Sequence, residues 1–379
     1  MKLLTLVVAA ALLAGCASST GTPAPAASGA CGSAAPAPTS APCAAAPDVS
    51  PSPSVASSPS PAVSPTPFTG TPTTVRLALD WTPNTDHTGF FVAKHEGWYR
   101  DAGIDLQVLP YATATPETLM AAHQAECGIS FQDSLTFAVA AGADIVSVAA
   151  ILQKTASAIG VLASGPIQRP RDLDGKTYAG FGYPNEVPTL KAVIQADGGT
   201  GDFTVATLDA AAYEALYQKR ADFTIPFTAW EGVEATQRGI ALRYFQFHDY
   251  GFPEFYQVVL ACDRQWLTKD PDAAKRFVAA SVRGFQLSND QPDEAAAMLV
   301  AENPGAFDAN PALPKASQEF LAQGGYLVDG TGKAGPQTLQ RWTDYSKFLY
   351  DQKLLADRNG KPLTAPPDYA ALFTNDFLP

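Results

Sequence analysis

The chain has 379 residues, of which 46% are hydrophobic, and this length is sufficient for two folded lobes with apolar cores. Its formal net charge of −12 disfavours nucleic acid and anionic surfaces as partners, because neither would attract an acidic protein. The four histidines are scattered and the five cysteines lack zinc-site spacing, so the sequence predicts neither a metal nor a cofactor site.

The N-terminal segment has the features of an export signal. A basic Met1-Lys2 start, a short apolar run and small residues before Cys16 predict a signal peptide over 1–15. The order Leu-Ala-Gly-Cys resembles the lipobox of bacterial lipoproteins, which implies cleavage before Cys16 and a lipid on its thiol. The alternative is an ordinary signal peptide with an incidental cysteine.

A proline-rich stretch follows over 16–72. Thirteen of the chain's 32 prolines fall between Ala17 and Pro72, and Asp48 is the only charged residue there. Such a composition cannot bury a core, so we predict an extended tether that holds a globular domain away from a lipid surface.

The remaining cysteines form two groups. Cys31 and Cys43 lie in the predicted tether, where an oxidising location would permit a disulfide but no geometry enforces one. Their pairing therefore stays open. Cys127 and Cys262 lie in apolar surroundings, and we expect buried thiols rather than a bridge.

From Thr73 onward, short apolar runs alternate with helical patterns. Strands are predicted at 75–79, 104–109, 127–130, 145–149, 177–180, 203–207, 222–225 and 258–262. Helices are predicted at 87–102, 115–123, 134–141, 187–196, 210–219 and 230–238, then from Asp270 and at 293–302, 315–322 and 338–352. This rhythm predicts an α/β fold with largely parallel sheets covered by helices, and a helical segment that returns to the first lobe.

Polar and aromatic residues concentrate at four predicted strand-to-helix junctions. They are Asp80, Trp81, Asn84 and His87 at the first, Gln132 and Asp133 at the second, Phe181, Tyr183 and Glu186 at the third, and Phe227, Trp230 and Glu231 at the fourth. Open α/β folds bind ligands at the carboxyl ends of their strands, so we expect the four junctions to converge on one cleft.

The chemistry of these junctions favours a flat heterocycle with hydrogen-bond donors. Indole and phenol rings would stack on it, and a carboxylate would accept a forked amino edge. Lysine and arginine are missing from the junctions, which disfavours an anionic ligand. Each residue also has a structural alternative: Trp81 as core packing, Asp80 as a helix cap, His87 as a satisfied first-turn residue and Glu231 as a solvated helix face.

The segment 79–93, with Asp-Trp-Thr-Pro-Asn-Thr, resembles the solute-binding lipoproteins that capture a formylaminopyrimidine precursor of thiamine for an ABC importer. Further similarity runs through 130–133, 180–192, 230–235 and 366–378. The resemblance implies a periplasmic-binding-protein type II fold, with two α/β lobes joined by two crossing strands. On it we place lobe one at 73–164 and 262–379, and lobe two at 165–261.

The same resemblance implies a function in binding rather than catalysis. We expect a monomeric importer component that binds a small-molecule vitamin precursor and partners with ABC permease and ATPase subunits.

Related synthases of this fold use a lysine-linked pyridoxal phosphate and a cysteine-rich run, which 130–133 and 253–258 lack. We therefore predict that the chain is not an enzyme. Phe181-Gly182 replaces the family's usual Trp-Gly and Val187 an expected acid, so a riboflavin-binding component is the second interpretation. Its aromatic slot would use Phe181, Tyr183, Phe227, Trp230, Tyr250, Phe252, Phe255 and Tyr256.

Overall fold

A computed structural model describes residues 68–112, 114–183 and 185–379. The predicted signal peptide, the lipidation at Cys16, the tether and the pairing of Cys31 with Cys43 lie outside these ranges. Within them, no helix has the length and apolar character needed to cross a membrane.

Nine strands and twelve α-helices make up the described part of the chain. The strands are β1 (Thr73–Ala78), β2 (Ile104–Leu109), β3 (Cys127–Ser130), β4 (Ile145–Ala150), β5 (Ile159–Leu162), β6 (Thr177–Gly180), β7 (Thr204–Thr207), β8 (Leu242–Phe245) and β9 (Val259–Asp263). The helices are α1 (Thr88–His95), α2 (Trp98–Asp101), α3 (Pro116–Ala121), α4 (Gln132–Ala140), α5 (Glu186–Ala196), α6 (Ala212–Tyr217), α7 (Glu231–Gln237), α8 (Arg264–Lys269), α9 (Pro271–Asp290), α10 (Pro292–Glu302), α11 (Leu313–Gln323) and α12 (Leu339–Asp351).

The larger sheet has five strands in the order β2-β1-β3-β9-β4. Strand β1 pairs parallel with β2 and β3, as predicted. Strand β9 runs antiparallel to both β3 and β4, so the expectation of largely parallel pairing was wrong for this half of the sheet. The physical reason is the path of the chain. The chain leaves the large sheet after β4 and forms separate sheets. It then returns, and β9 inserts between β3 and β4 in the opposite direction.

Two smaller sheets are built only from residues between β4 and β9. Strands β5 and β8 pair antiparallel, and β6 and β7 pair parallel. The segment predicted as a strand at 222–225 forms isolated bridges instead, from Phe223 to Tyr178 and from Thr224 to Gly160. These bridges join the two small sheets. We call the part around the large sheet lobe one and the part around the small sheets lobe two; the exact lobe boundaries stay a prediction.

Two connections pass between the lobes and contact each other. Residue Ile151 donates its backbone N–H to the carbonyl of Val258 at 2.9 Å, and Ala156 donates to the Gln257 side chain at 3.2 Å. Polar contacts between adjacent crossing segments of this kind hold the two lobes in register while leaving a cleft between them.

Cys127 and Cys262 form a disulfide, so the expectation of two free thiols was wrong. The two residues face each other across the β3–β9 ladder, and both are fully buried. They are 135 residues apart in sequence, and only the antiparallel insertion of β9 brings them together. Their apolar surroundings had been predicted correctly.

The C-terminal helices cover the cores of both lobes. Helix α9 crosses α1 so closely that an added Cβ at Gly284 would overlap the carbonyl group of Gly89. Farther along, Trp342 of α12 packs with the large-sheet core, whereas Tyr345 and Leu349 pack with the core of lobe two. Helix α12 therefore spans the two lobes.

Candidate ligand-binding site

A cleft of about 920 Å³, including its open mouth, lies between the lobes. Ten of the twelve predicted site residues line it: Asp80, Trp81, Asn84, Asp133, Phe181, Tyr183, Glu186, Phe227, Trp230 and Glu231. All four predicted junctions therefore reach the same cavity. The lining contains no lysine or arginine among the residues that the structure describes.

His87 does not line the cleft and is fully buried. Its Nδ1 accepts the backbone N–H of Asn84 at 3.3 Å, and its Nε2 lies 2.8 Å from Oδ1 of Asp80. An Nδ1 that accepts leaves the ring proton on Nε2, so His87 donates to Asp80. The structure thus corrects the prediction of direct ligand contact: this histidine positions Asp80 and closes the turn.

Gln132 is also held inside the protein rather than in the cleft. Its Oε1 accepts the backbone N–H of Tyr256 at 2.8 Å, and its Nε2 donates to the carbonyl of Arg341 at 3.2 Å. With both ends of the amide used, Gln132 connects the start of α4 to the crossing segment and to α12. A direct ligand-binding role for Gln132 is not supported.

Glu186 lines the cleft, but its carboxylate accepts hydrogen bonds from the strand-to-helix turn to which it belongs. It accepts the Tyr178 hydroxyl at 3.0 Å and the backbone N–H groups of Phe181 at 3.0 Å and Tyr183 at 2.8 Å. These bonds lower its pKa, but burial raises it more, and the net pKa lies above its ordinary value. The side chain therefore shapes the strand-to-helix turn that presents Phe181 and Tyr183.

Glu231 lies at the start of α7 and is 5% exposed. Burial raises its pKa to about 8, and the backbone N–H of Phe227, which donates to Oε2 at 3.1 Å, offsets only part of that effect. At neutral pH a carboxyl with this pKa carries a proton in most molecules. Glu231 thus offers the cleft a proton donor as well as an acceptor.

Asp86 is a cleft residue that the sequence interpretation missed. It is 4% exposed, and its Oδ1 has no hydrogen-bond partner among the described residues. Burial raises its pKa well above the ordinary value, and the carboxylate of Asp80, together with that of Glu231 in its ionised form, raises it further. A detectable signal existed, since Asp86 belongs to the same polar turn as Asn84.

Aromatic rings from both lobes meet at Trp81. The indole centroid lies 5.0 Å from Tyr111, 5.8 Å from Phe181 and 6.4 Å from Tyr213. Tyr183 adds a polar contact across the cleft, because its hydroxyl donates to the carbonyl of Asp80 at 3.3 Å. Ring faces and edges therefore line the cavity where the two lobes approach.

The structural comparison defines the class of fold. The alkanesulfonate-binding protein SsuA from Xanthomonas axonopodis pv. citri superposes with a TM-score of 0.58 at 17% identity, covering 76% of this chain and 96% of that one. The predicted two-lobed periplasmic-binding-protein fold is thereby confirmed. Identity at this level shows the fold alone.

Family membership follows from the sequence. Residues 84–295 match the family model described as NMT1/THI5 like, and this range is more than half of the chain. The chain belongs to the NMT1/THI5-like family, as its first motif predicted.

Three relatives carry functional names. A formylaminopyrimidine-binding protein from Halalkalibacterium halodurans is 26% identical over 73% of this chain and 84% of its own length. The riboflavin-binding protein RibY from Chloroflexus aurantiacus is 24% identical over 80% and 86%, respectively. A 4-amino-5-hydroxymethyl-2-methylpyrimidine phosphate synthase from Legionella pneumophila is 24% identical over 61% and 74%.

Proposed function

We propose that this chain is the solute-binding component of an ABC importer and that it binds a thiamine pyrimidine precursor of the formylaminopyrimidine type. The observation that carries the proposal is the buried carboxyl of Asp86, which faces a cleft of aromatic rings and has no partner for Oδ1 among the described residues. A buried carboxyl of this kind is stabilised by a ligand that donates hydrogen bonds.

The carboxyls of Asp86 and Glu231 suit an aminopyrimidine edge. An exocyclic amino group donates to an ionised carboxylate, and the neighbouring ring nitrogen accepts a proton from a protonated one. Trp81, Tyr183 and Trp230 supply aromatic surface for the ring. The charged side chains in this lining are all acidic, so alkanesulfonates are not the proposed ligands.

The location and partners follow from the N-terminal segment. We propose export by the signal peptide, lipid attachment at Cys16 and a tether over 16–72 that holds the monomer at the outer face of a bacterial cell membrane. The bound solute would pass to a permease that an ATPase subunit drives. The lobe boundaries, 73–164 with 262–379 and 165–261, belong to this proposal.

Riboflavin is the second candidate ligand. Five residues of the predicted flavin slot line the cleft: Phe181, Tyr183, Phe227, Trp230 and Phe255. Tyr250, Phe252 and Tyr256 of the same slot do not. Synthase activity is not proposed, because the segment 130–133 has no lysine for a Schiff base.

The test uses the chain without its predicted signal peptide and tether, purified from about Thr73, the start of the first strand. Its absorption spectrum is recorded, and calorimetric titrations with formylaminopyrimidine, hydroxymethylpyrimidine, thiamine and riboflavin follow. Tight binding of a pyrimidine supports the proposal. Binding of riboflavin alone, or flavin absorbance, moves the ligand to the second candidate. Consumption of bound pyridoxal phosphate would overturn the non-enzymatic interpretation.

A further inference from the structure

Three residues that line the cleft, and that the proposed aminopyrimidine edge does not use, each carry a buried polar atom. The atoms are Oγ of Ser134, Oδ1 of Asn185 and Oγ1 of Thr189, and none has a hydrogen-bond partner among the described residues. Ser134 is 7% and Thr189 5% exposed. Six buried side-chain atoms of the described chain lack partners, and four of them, these three and Oδ1 of Asp86, belong to cleft residues.

The two hydroxyls differ from those of other buried helical residues. In α4, Thr136 donates its hydroxyl to the carbonyl of Gln132 at 2.7 Å, and in α9, Ser288 donates to Gly284 at 2.8 Å. Helical serines and threonines commonly satisfy themselves in this way. Ser134 and Thr189 do not, so their hydroxyls have no partner among the described residues, although both residues line the cleft.

The three residues come from both lobes, and one contact joins the helix starts that carry them. Nδ2 of Asn185 donates to Oδ2 of Asp133 at 2.6 Å, which joins the start of α4 in lobe one to the start of α5 in lobe two. This bond orients the Asn185 amide, so its Oδ1 is available only as an acceptor. Asp133 is itself occupied, because its Oδ1 accepts the N–H of Ser134 at 2.8 Å.

The available chemistry is therefore one fixed acceptor and two hydroxyls that can donate. A neutral group with an N–H or O–H donor beside an oxygen acceptor, such as a formamide or an alcohol, satisfies it. A carboxylate or phosphate would lie against the engaged carboxylate of Asp133, and no lysine or arginine in the lining compensates that charge.

We propose that Ser134, Asn185 and Thr189 form a subsite for the neutral polar arm of the ligand. The inference rests on the proposed function, in which Asp86 and Glu231 take the amino edge of the ring. It adds a basis for specificity: the arm, rather than the ring alone, selects the transported solute. An amide arm uses both the acceptor and the hydroxyls, and a methyl group in the same position uses neither.

The test compares the affinities of two ligands for the same purified chain, which begins at about Thr73. The ligands are formylaminopyrimidine and the same aminopyrimidine with a methyl group in place of its arm. We expect the wild type to prefer the first by at least tenfold, and Ser134→Ala and Thr189→Val each to reduce that preference about fivefold, the value of one neutral hydrogen bond. The affinity for the methyl compound should stay constant.

Thr136→Val is the matched control. It removes a buried hydroxyl from the same helix as Ser134, but that hydroxyl is satisfied by Gln132 and lies outside the cleft lining. It should lower the melting temperature and leave the ligand preference unchanged. Ser134→Ala and Thr189→Val remove no hydrogen bond within the protein, so their melting temperatures should not fall through this cause.

The outcomes separate the two proposals. If the wild type binds both pyrimidines equally, or if the variants keep the full preference for the arm, the subsite is wrong while the proposed function stands. If the wild type binds neither pyrimidine, the proposed function fails and the subsite fails with it. Loss of preference in both cleft variants, with preference retained in Thr136→Val, supports the subsite.

Discussion

Replacing Asp86 with asparagine separates ligand binding from folding. Asparagine has nearly the same shape, but it removes the negative charge and turns one acceptor into a donor. In the protein this carboxyl is 4% exposed and its Oδ1 has no partner among the described residues, so the change breaks no described hydrogen bond at that atom.

The expected magnitude follows from the kind of bond that is lost. A ligand that donates to Asp86 favours its ionised carboxylate, and a hydrogen bond to a charged group contributes about 1.5–3 kcal/mol, so Asp86→Asn should weaken pyrimidine binding about 10- to 150-fold. Stability should change in the opposite sense. Because burial and the charges of Asp80 and Glu231 raise the pKa of Asp86, its ionisation destabilises the fold as the pH rises, and asparagine removes that cost.

The assay is calorimetric titration with formylaminopyrimidine, combined with urea unfolding at pH 6 and pH 8. Two variants give the comparison. Asp80→Asn should lower stability, because Asp80 accepts from His87. Asp376→Asn, at an exposed position outside the cleft lining, should change neither quantity. Wild-type affinity in Asp86→Asn would refute the anchoring role of Asp86.

Three further changes test other features. Trp81→Ala should weaken binding by about 1–3 kcal/mol in titrations, because the indole contacts Phe181 and Tyr213 across the cleft; unchanged affinity would contradict its placement. Glu231 has a pKa of about 8 against an ordinary 4.5, so wild-type stability should fall between those pH values by on the order of 5 kcal/mol at most, and Glu231→Gln should flatten the profile in urea unfolding; parallel profiles would contradict the raised pKa. Joint replacement of Cys127 and Cys262 by alanine opens a loop of 135 residues and should cost about 5 kcal/mol in the same assay, and equal midpoints would exclude a disulfide.

The junction pattern predicted most of the cleft because strand ends and helix starts are local features. Asp80, Trp81 and Asn84 follow β1 directly, and all three reach the cavity. His87 and Gln132 lie in the same junctions, but their side chains turn inward to backbone partners. Whether a polar side chain at a strand end faces the cleft or the protein depends on neighbours that are distant in sequence, such as Tyr256.

Several lining residues carry no local signal at all. Tyr345 lies on α12 and Phe247 follows β8, and both reach the cleft only because the chain crosses between the lobes. Strands β5 and β8 were missed, and the segment 222–225 forms bridges rather than a ladder. Short buried runs are ambiguous when their partners are unknown.

The sequence by itself determined the α/β class, the four junctions, the family motif and the absence of basic residues from those junctions. These properties depend on side-chain type and short-range spacing, which a linear chain displays directly. Tertiary structure alone decided the antiparallel insertion of β9 and the disulfide that this insertion creates. It also decided which buried carboxyls accept hydrogen bonds within the protein and which have an oxygen without a partner among the described residues. Glu186 and Asp86 look alike in the sequence, but three donors surround the first, whereas burial leaves Oδ1 of the second free to bind.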